Sequence, residues 1–411
     1  MQPDVTIIGA GLSGLTAALS CEAAGKKVLI LESTDRAGGR VKTDQFDGFL
    51  LDHGFQVLLS AYEKANEIFD MKTLSPGYFA AGAKITDHRG TYRFGDPLRN
   101  PSLAFPTLLA RAGSLGDKWK IFQLTRQLQS QSAAQMFIPD GLSTHQFLVD
   151  YGFSTQIIDN FFVPFFGGIF LERKLETPAS MFRFVFRNFA LGSACIPAKG
   201  MQALPDQLLS RLQNAELRYL TPVEKISKDK SLIHLKSGEE LPYNHLIIAC
   251  DPSRFFAEAK HKYRNTVTMY FAGNSTLQAQ HKTIGLDARS NSPVNNFCRH
   301  DEVQPKCAPE GKSLWSVTVR DGVETTTTAV GQSLAELIQA PANALSHLKT
   351  YQIARALPVV DMPRNDLTAE ESRYDSRIFL AGDYLLNGSI EAALRSGARA
   401  AEAVIRSGAN Q

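Results

Sequence analysis

The most constraining feature of this 411-residue sequence is a set of three glycines directly after a short apolar run, VTII, near its start. Gly9, Gly11 and Gly14 form the pattern GxGxxG. Residues that favour helix continue to Gly25, and a second apolar run, VLIL, ends at Glu32. This order predicts a buried parallel strand, a tight turn, a helix and a second strand, which is how a dinucleotide-binding α/β fold begins.

Each residue of the pattern has a physical role. Gly9 allows the tight turn, Gly11 lets the backbone approach a pyrophosphate because no Cβ intervenes, and Gly14 lets the helix pack closely on the strands. The free N–H groups of the helix N-terminus favour an anion. The carboxylate of Glu32 can accept hydrogen bonds from a ribose diol and would repel a 2′-phosphate. The alternative is a glycine turn that binds nothing.

The same region admits a second interpretation, as a transmembrane helix or signal anchor. Residues 5–25 are apolar, and their one charged residue is Glu22. Three facts oppose this interpretation: no basic segment precedes the run, four glycines interrupt it, and another apolar run follows at once. We therefore expect strand, turn, helix and strand.

Composition narrows the function classes. Hydrophobic residues make up 44% of the chain and charged residues 21%, as in ordinary globular proteins. The formal net charge is +3 without a long basic run, so we expect no nucleic-acid partner. The five cysteines form no CxxC pair and the nine histidines are scattered. We expect no metal site, and reduced thiols in a cytoplasmic compartment.

The segment that starts at Glu32, ESTDRAGGR, contains Arg36, Gly38, Gly39 and Arg40. It resembles the second fingerprint of the FAD-dependent family that includes amine oxidases, protoporphyrinogen oxidase and phytoene desaturases. In that family the glycines run under the cofactor and the second arginine approaches its phosphates. The resemblance implies bound FAD, with both arginines near its adenosine and pyrophosphate. The alternative is a solvated basic loop.

Two central segments resemble the same family. Residues 195–204, CIPAKGMQAL, are similar to the stretch that re-enters the FAD domain, although Lys199 replaces a glycine. Residues 221–226, TPVEKI, resemble the strand whose valine contacts the adenine, which implies this role for Val223. Residues 246–251, LIIACD, have the pattern of a further buried strand.

The C-terminal segment 378–396, IFLAGDYLLNGSIEAALRS, also resembles the family. It predicts a short strand that leads to Gly382 and Asp383, and then a helix that starts near Ser389. The resemblance implies that Asp383 binds the ribityl chain or pyrophosphate. It also implies that the helix start, Ser389 and Ile390, points at the flavin pyrimidine ring, where the helix dipole stabilises negative charge.

Because motifs near both ends serve one cofactor, the FAD domain is predicted to be discontinuous. The predicted fold class is α/β, a Rossmann-type FAD-binding domain with an inserted α+β substrate domain. The FAD-binding domain is assigned to residues 1–75, 195–259 and 350–411, and the substrate-binding domain to residues 76–194 and 260–349. The substrate domain is predicted to contain a hairpin (KITDHRGTYRF), then mainly helices, then strands (TVTMYFAG, SLWSVTV) and a helix near 333–349.

Ten of the 25 phenylalanines fall between Phe153 and Phe189. This concentration predicts a packed helical core, or else a cavity lined for an apolar substrate, or an apolar patch that meets a membrane. Within it, FFVPFFGGIFL resembles the phytoene-desaturase-like branch of the family, as do DKWKIFQL and GSIEAAL elsewhere.

Candidates for chemistry are few. In the family, the loop that corresponds to residues 52–56 lies beside the isoalloxazine, so His53 or Gln56 would hydrogen-bond the ring or the substrate. The alternative is that Asp52 and His53 only brace this loop. Lys312 matches, by position alone, the lysine that reaches the flavin in amine oxidases.

The resemblance implies an FAD-dependent oxidoreductase that dehydrogenates an apolar substrate in the manner of phytoene-desaturase-like enzymes. Oxygen or a quinone would accept the electrons, and contact with a membrane would be peripheral. One alternative is a flavin-containing amine oxidase, and another is a flavin-binding protein or isomerase without net redox turnover. Residues 387–391 lack the aromatic residue that amine oxidases of the family place before the last helix, which favours the apolar substrate.

We expect FAD to be bound noncovalently. Covalent members of the family use a cysteine close before the C-terminal helix, and residues 378–396 contain none. Acid precipitation of the purified protein should leave the yellow cofactor in the supernatant. Colour that stays with the pellet would refute the prediction.

Overall fold

The computed structural model describes residues 2–409, and it confirms the predicted N-terminal unit. The strand Val5–Ile8, the helix Leu12–Ala23 and the strand Val28–Leu31 follow in the expected order. Both strands are buried throughout, as parallel strands covered on both faces should be. Among the described residues, no helix combines the length and apolarity needed to cross a bilayer.

These two strands belong to a parallel sheet, which confirms the predicted α/β Rossmann-type fold class. Neighbouring strands all pair in parallel. Across the sheet the strands are Glu216–Arg218, Val28–Leu31, Val5–Ile8, His245–Ile248 and Ile378–Leu380. All five lie in segments assigned to the FAD-binding domain, so chain that is far apart in sequence forms one sheet.

A larger sheet contains the predicted hairpin and the two predicted central strands. Its pairs are antiparallel except where Ile284–Asp287 meets Gly82–Asp87. Across this sheet the strands are Ser346–Pro358, Tyr263–Asn274, Lys312–Val319, Val294–Arg299, Ile284–Asp287, Gly82–Asp87 and Gly90–Gly95.

The prediction of a helix near 333–349 is wrong in its second half. The helix spans Thr327–Leu337, and Pro341, which has no N–H to donate, follows it. The strand Ser346–Pro358 then pairs along the buried strand Tyr263–Asn274. The predicted domain boundary at residue 350 falls inside this strand. We therefore move the proposed boundary beyond residue 358, and the division into two domains stays a prediction.

Three small sheets complete the β-structure of the described chain. Their strands are Thr43–Phe46 with Phe49–Asp52; Leu58–Leu59, Ala194–Ile196 and Gly77–Tyr78; and Val223–Ser227, Leu232–Leu235 and Glu240–Pro242. The other helices are Glu63–Ile68, Met71–Leu74, Ala104–Leu109, Leu115–Gln129, Ala133–Met136, Thr144–Asp150, Thr155–Ile157, Ile158–Phe162, Val163–Phe170, Ala179–Leu191, Ala203–Leu209, His300–Val303 and Ile390–Ala409. Short 3₁₀ turns lie at Pro101–Leu103, Pro252–Arg254, Ala257–Ala259, Pro305–Cys307, Glu370–Ser372 and Asp383–Leu385.

The last helix, Ile390–Ala409, packs against the first, Leu12–Ala23. At Gly397 the two backbones approach so closely that a Cβ would lie 2.2 Å from the carbonyl oxygen of Ser13. No real Cβ tolerates that distance, so the crossing requires glycine. The two ends of the described chain are thus fixed in one helical layer beside the parallel sheet.

Most of the phenylalanine-rich segment forms a core between helices. Six of its ten phenylalanines are buried: Phe153, Phe162, Phe166, Phe170, Phe182 and Phe184. The Phe182 ring lies centrally, with its centroid 4.7 Å from that of Phe166 and 5.4 Å from that of Phe186. The core interpretation is therefore correct for these six side chains.

We expect Phe182→Ala to lower the free energy of unfolding by about 3–5 kcal/mol, because it removes a fully buried ring and leaves a cavity. Phe105→Ala is the matched control. Phe105 is 69% exposed, and its loss should change stability by no more than about 0.5 kcal/mol. Urea unfolding followed by tryptophan fluorescence measures both. Equal effects would contradict the assignment of Phe182 to the core.

Candidate functional site

A cavity of about 2420 Å³ begins where strands of the parallel sheet end and extends to the larger sheet. Ile8, Leu31, Ala249 and Gly382, at or just beyond the carboxyl ends of four strands, are part of its wall. In open α/β sheets this is the edge at which ligands bind. Single-ligand pockets usually have volumes of about 300–1,000 Å³, so this cavity has room for a cofactor and a substrate together.

The first glycine loop forms a cradle at this edge. At Gly9, φ is +104° and a Cβ would lie 3.0 Å from the carbonyl oxygen of Ala249. A Cβ at Gly14 would lie 2.0 Å from the carbonyl oxygen of Gly9, whereas one at Gly11 would make only an ordinary contact with the Gly39 Cα, at 3.9 Å. Over the described residues, no side chain caps the helix that begins at Leu12, and its first turn has no acid. The N-terminus is therefore open to an anion such as a pyrophosphate.

Glu32 is buried, and it lines the cavity beside this loop. Its Oε2 accepts from the N–H of Ala10 at 2.8 Å. Its Oε1 accepts from the N–H of Thr34 at 2.9 Å and from the Thr34 hydroxyl at 2.8 Å. An ionised carboxylate has about four acceptor positions, so Oε2 keeps one for a ribose hydroxyl. The same contacts fix the orientation of the carboxylate.

The second glycine loop contacts the first. The N–H of Gly38 donates to the carbonyl oxygen of Ala10 at 2.8 Å, and Gly39 packs against Gly11 so closely that a Cβ at Gly39 would lie 3.3 Å from the Gly11 Cα. Both loops line the cavity. Together they present backbone rather than side chain to a bound phosphate.

Arg40 joins this loop to the C-terminal motif. Its guanidinium forms an ion pair with Asp383 and donates to the carbonyl oxygen of Ala356 at 3.0 Å. Both Arg40 and Asp383 line the cavity, although they are 343 residues apart in sequence. The two fingerprints that the sequence assigned to one cofactor thus meet at one place.

Arg36 lies differently from its prediction. Its guanidinium lies 2.5 Å from Asp44 and donates to the carbonyl oxygen of Thr43 at 3.1 Å. In the described chain, Arg36 is not among the cavity-lining residues. The physical reason is local, because the carboxylate of Asp44 holds the guanidinium. Arg36 therefore supports the neighbouring loop, and its predicted place near the FAD adenosine stays a prediction.

Asp44 is the centre of a hydrogen-bonded cluster behind that loop. Burial alone would raise the pKa of Asp44, but hydrogen bonds from four donors hold it well below its usual range. These donors are Lys349, Arg36, His53 and Tyr351. Asp44 is therefore ionised and keeps the adjoining side chains in place.

His53 and Gln56, the predicted contacts of ring or substrate, both line the cavity. The Nε2 of His53 lies 3.0 Å from Asp44, and its ring centroid lies 4.6 Å from that of Tyr351. The Gln56 side-chain amide donates to the carbonyl oxygens of Arg40 and His53, both at 2.8 Å. Gln56 thus ties the loop to the second glycine fingerprint.

Asp52, in contrast, braces the loop from within the protein. It accepts from the Thr43 hydroxyl at 2.5 Å and from the N–H of Met201 at 2.9 Å. Burial raises the pKa of Asp52 to about 6, against the lowering effect of these hydrogen bonds. Asp52 therefore braces the loop, as the alternative interpretation predicts. His53 is held by Asp44 and also faces the cavity.

The remaining predicted cofactor residues lie along the same cavity. Val223 lines it close to Glu32, since the N–H of Thr221 donates to the Glu32 carbonyl oxygen at 2.8 Å. Ser389 and Ile390 line it where the last helix begins, and the Ser389 hydroxyl accepts from the N–H of Ala392 at 3.0 Å. Apart from Arg36 and the packing glycine Gly14, the structure brings all predicted cofactor residues to this cavity.

The phenylalanines outside the core form one wall of the cavity. These four are half-buried: Phe161, Phe165, Phe186 and Phe189. The Phe165 ring centroid lies 5.6 Å from that of Phe161 and 5.3 Å from that of Phe189. None of the ten phenylalanines in this described segment is exposed. The segment is therefore both core and cavity lining, and it is not a surface patch.

A family model described as flavin containing amine oxidoreductase matches residues 12–284, about two thirds of the chain. The chain belongs to the family of flavin-containing amine oxidoreductases. This membership confirms the predicted FAD-dependent oxidoreductase, and the glycine cradle, Glu32 and the Arg40–Asp383 pair fit FAD. The closer resemblance to the phytoene-desaturase-like branch stays a prediction.

Curated relatives match this chain over short segments. Identity is 50% over 54 residues to probable polyamine oxidase 4 of Arabidopsis thaliana, covering 13% of this chain and 11% of that protein. Identity is 45% over 62 residues to inactive all-trans-retinol 13,14-reductase of Danio rerio, covering 15% of this chain and 10% of that protein. Identity is 35% over 78 residues to coproporphyrinogen III oxidase of Propionibacterium freudenreichii, covering 19% of this chain and 15% of that protein. The matches thus span about a tenth to a seventh of these relatives.

Solved structures of the same fold match over nearly the whole chain. A wild-type putrescine oxidase bound to putrescine superposes with a TM-score of 0.74 at 18% identity, covering 99% of both chains. A putative protoporphyrinogen oxidase from Exiguobacterium sp. 255-15 has a TM-score of 0.70 at 16% identity, covering 98% of both. At these identities the likeness establishes the fold of the amine oxidoreductase family and not the substrate.

Two tyrosines that were not predicted as site residues also lie at the cavity. Tyr62 lines the cavity beside Ser389. Burial and the nearby Glu391 carboxylate raise the pKa of Tyr62, and they outweigh the lowering effect of its hydrogen bond with Ser389. Tyr384 also lines the cavity, and its buried hydroxyl has no hydrogen-bond partner within the described chain. No sequence motif marks Tyr62, because the fold alone brings it to the last helix. Lys312 is exposed at the start of its strand, outside the cavity lining of residues 2–409.

We expect Glu32→Ala to weaken FAD binding about 10- to 100-fold, because a charge-assisted hydrogen bond to the ribose contributes roughly 1.5–3 kcal/mol. Glu32→Gln keeps an acceptor oxygen without the charge and should lose less. Glu224→Ala, at an exposed glutamate, is the matched control and should bind FAD normally. Fluorescence titration of the apoprotein with FAD measures all three. Normal affinity in Glu32→Ala would mean that the ribose is held elsewhere.

Proposed function

We propose that the protein dehydrogenates an apolar small molecule, using noncovalently bound FAD. The observation that carries this proposal is the wall of four half-buried phenylalanines on the cavity that also contains the cofactor residues. Burial of an apolar ligand against such a wall contributes roughly 25 cal/mol per Å², and it needs area rather than charge. When bound, FAD supplies the hydride-accepting centre.

The cofactor residues have the following proposed roles. Gly9, Gly11, Gly38 and Gly39 cradle the pyrophosphate, and Glu32 accepts from the adenosine ribose. Asp383, held by Arg40, binds the ribityl chain or pyrophosphate, while Val223 contacts the adenine. The helix start at Ser389 and Ile390 faces the pyrimidine ring. Each role rests on the position of the residue along the one cavity.

His53 and Gln56 are the proposed contacts of the flavin ring or the substrate. His53 faces the cavity while Asp44 holds its Nε2, so its ring is oriented before a ligand binds. The phenylalanine wall excludes water from the substrate. We propose oxygen or a quinone as the electron acceptor, a cytoplasmic location, and peripheral contact with a membrane as the source of an apolar substrate.

Amine oxidation is the second candidate. The names of several relatives favour it, since they include polyamine oxidases and a putrescine oxidase. Tyr62 beside Ser389 also supplies an aromatic ring near the start of the last helix, which the sequence lacks at residues 387–391. Against it, the name of another relative, an inactive all-trans-retinol 13,14-reductase, refers to an apolar polyene. A flavin protein without net turnover would show no substrate-linked flavin reduction at all.

Anaerobic flavin bleaching distinguishes these candidates. We expect no bleaching with simple primary amines or polyamines, and bleaching with a conjugated or partly saturated apolar compound from a polyene and porphyrinogen panel. Phe165→Asp should slow that bleaching at least about tenfold while FAD stays bound, because a carboxylate in the wall opposes burial of an apolar ligand.

Leu220→Asp is the matched control for this variant. Leu220 is 71% exposed and does not line the cavity of the described chain, so its variant should react like the wild type. Rapid flavin reduction by any simple amine would overturn the proposal and establish amine oxidation in its place.

A further inference from the structure

Exposed apolar side chains are concentrated in one short part of the described surface. Fourteen large hydrophobic residues are exposed in residues 2–409, and seven of them lie between residues 98 and 122. These seven are Leu98, Phe105, Leu108, Leu109, Leu115, Trp119 and Phe122. We call residues 98–126 the rim segment. It contains the helix Ala104–Leu109 and most of the helix Leu115–Gln129.

The second of these helices has two apolar stripes. Leu124 and Leu128 are buried and face the core. Leu115, Trp119 and Phe122, spaced by four and three residues, follow one another on an exposed face. The rings of Trp119 and Phe122 stack at a centroid distance of 5.3 Å. A helix that belonged only to this fold would carry polar residues on that face.

The two helices form one continuous surface. The ammonium group of Lys118 donates to the carbonyl oxygens of Leu108 and Ala110, both at 2.8 Å, and so ties the second helix to the end of the first. The exposed leucines of the first helix therefore lie next to the exposed stripe of the second.

The rim segment is also basic. It contains one acid, Asp117, which is buried and accepts from the N–H of Ser114 at 2.8 Å. Its five basic residues are Arg99, Arg111, Lys118, Lys120 and Arg126. The formal net charge of the whole chain is only +3. Tryptophan and leucine among lysines and arginines are typical of helices that lie in the interface of an anionic bilayer.

The surface continues into the cavity. Leu98, Leu108, Leu115, Trp119 and Phe122 are exposed and also line the cavity. The phenylalanine wall lines the same space. An apolar compound dissolved in a bilayer against this surface would reach the wall without crossing bulk water.

We propose that the rim segment docks the protein on an anionic lipid bilayer, with the cavity opening onto the lipid. The proposal rests on the proposed function in one respect, since an apolar substrate gives the opening its purpose. The apolar stripe supplies the buried area, and the basic side chains supply attraction to acidic headgroups. Charge complementarity selects this occupant over a second copy of the chain, whose identical surface would also be positive.

Vesicle flotation of the FAD-loaded protein tests the docking without any turnover. The wild type should float with vesicles that contain phosphatidylserine, and at least about tenfold less with pure phosphatidylcholine or in high salt. Phe105→Ser/Leu109→Ser should bind the anionic vesicles at least about tenfold more weakly. Neither residue lines the cavity of the described chain, so flavin reduction by a detergent-solubilised substrate should be unchanged.

Val323→Ser/Leu220→Ser is the matched control, since both side chains are exposed outside the rim segment. This variant should float like the wild type. Failure of the wild type to float at any composition, or equal binding by both double variants, would overturn the proposal. A stable dimer that Phe105→Ser/Leu109→Ser dissociates would also overturn it, because a second copy would then cover the surface. A failed substrate screen with normal flotation would reject the proposed substrate class alone.

Discussion

The ion pair between Arg40 and Asp383 is the contact on which the candidate site depends. It connects a loop that follows the second strand to a turn that follows the last strand of the parallel sheet, 343 residues later. The Asp383 side chain is only 7% exposed. A carboxylate at this depth needs a compensating charge, since its desolvation is costly without one. The position of the C-terminal motif around Asp383 therefore depends on the loop that contains Arg40.

The residues that sequence analysis placed well are those whose chemistry leaves few alternatives. A glycine that must admit a neighbouring backbone, such as Gly9, can be recognised from its spacing. Glu32 was identified from its place at a strand end, and Asp383 from the resemblance of the C-terminal segment to the family. For these positions, local sequence and tertiary structure impose the same requirement.

Sequence analysis was less successful where a contact is decided by a residue that no motif includes. Arg36 matches the family pattern, but Asp44 lies eight residues further on and holds its guanidinium. The helix predicted near 333–349 ends at Leu337, before Pro341, and residues 346–358 instead pair along the strand Tyr263–Asn274. Tyr62 reaches Ser389 only through the fold. Such outcomes depend on tertiary competition, which local patterns do not contain.

The phenylalanine-rich segment shows why its two interpretations were not exclusive. A helix of 3.6 residues per turn presents residues four apart on one face. Phe162 and Phe166 therefore face the core together, while Phe161 and Phe165, one position earlier, face the cavity. One run of aromatic residues thus builds a rigid core and the wall that the core supports.

The close crossing at Gly397 has a consequence for biosynthesis. The first helix, which supports the glycine cradle, is made well before the helix Ile390–Ala409 that packs on it. Until the helix Ile390–Ala409 is made, the first helix lacks this packing partner and has only its other neighbours, such as the helix Ala203–Leu209. Pairing between such distant segments is slow, because a long loop must close first. The candidate site, which draws residues from both segments, is therefore completed only when the later segment has joined the earlier one.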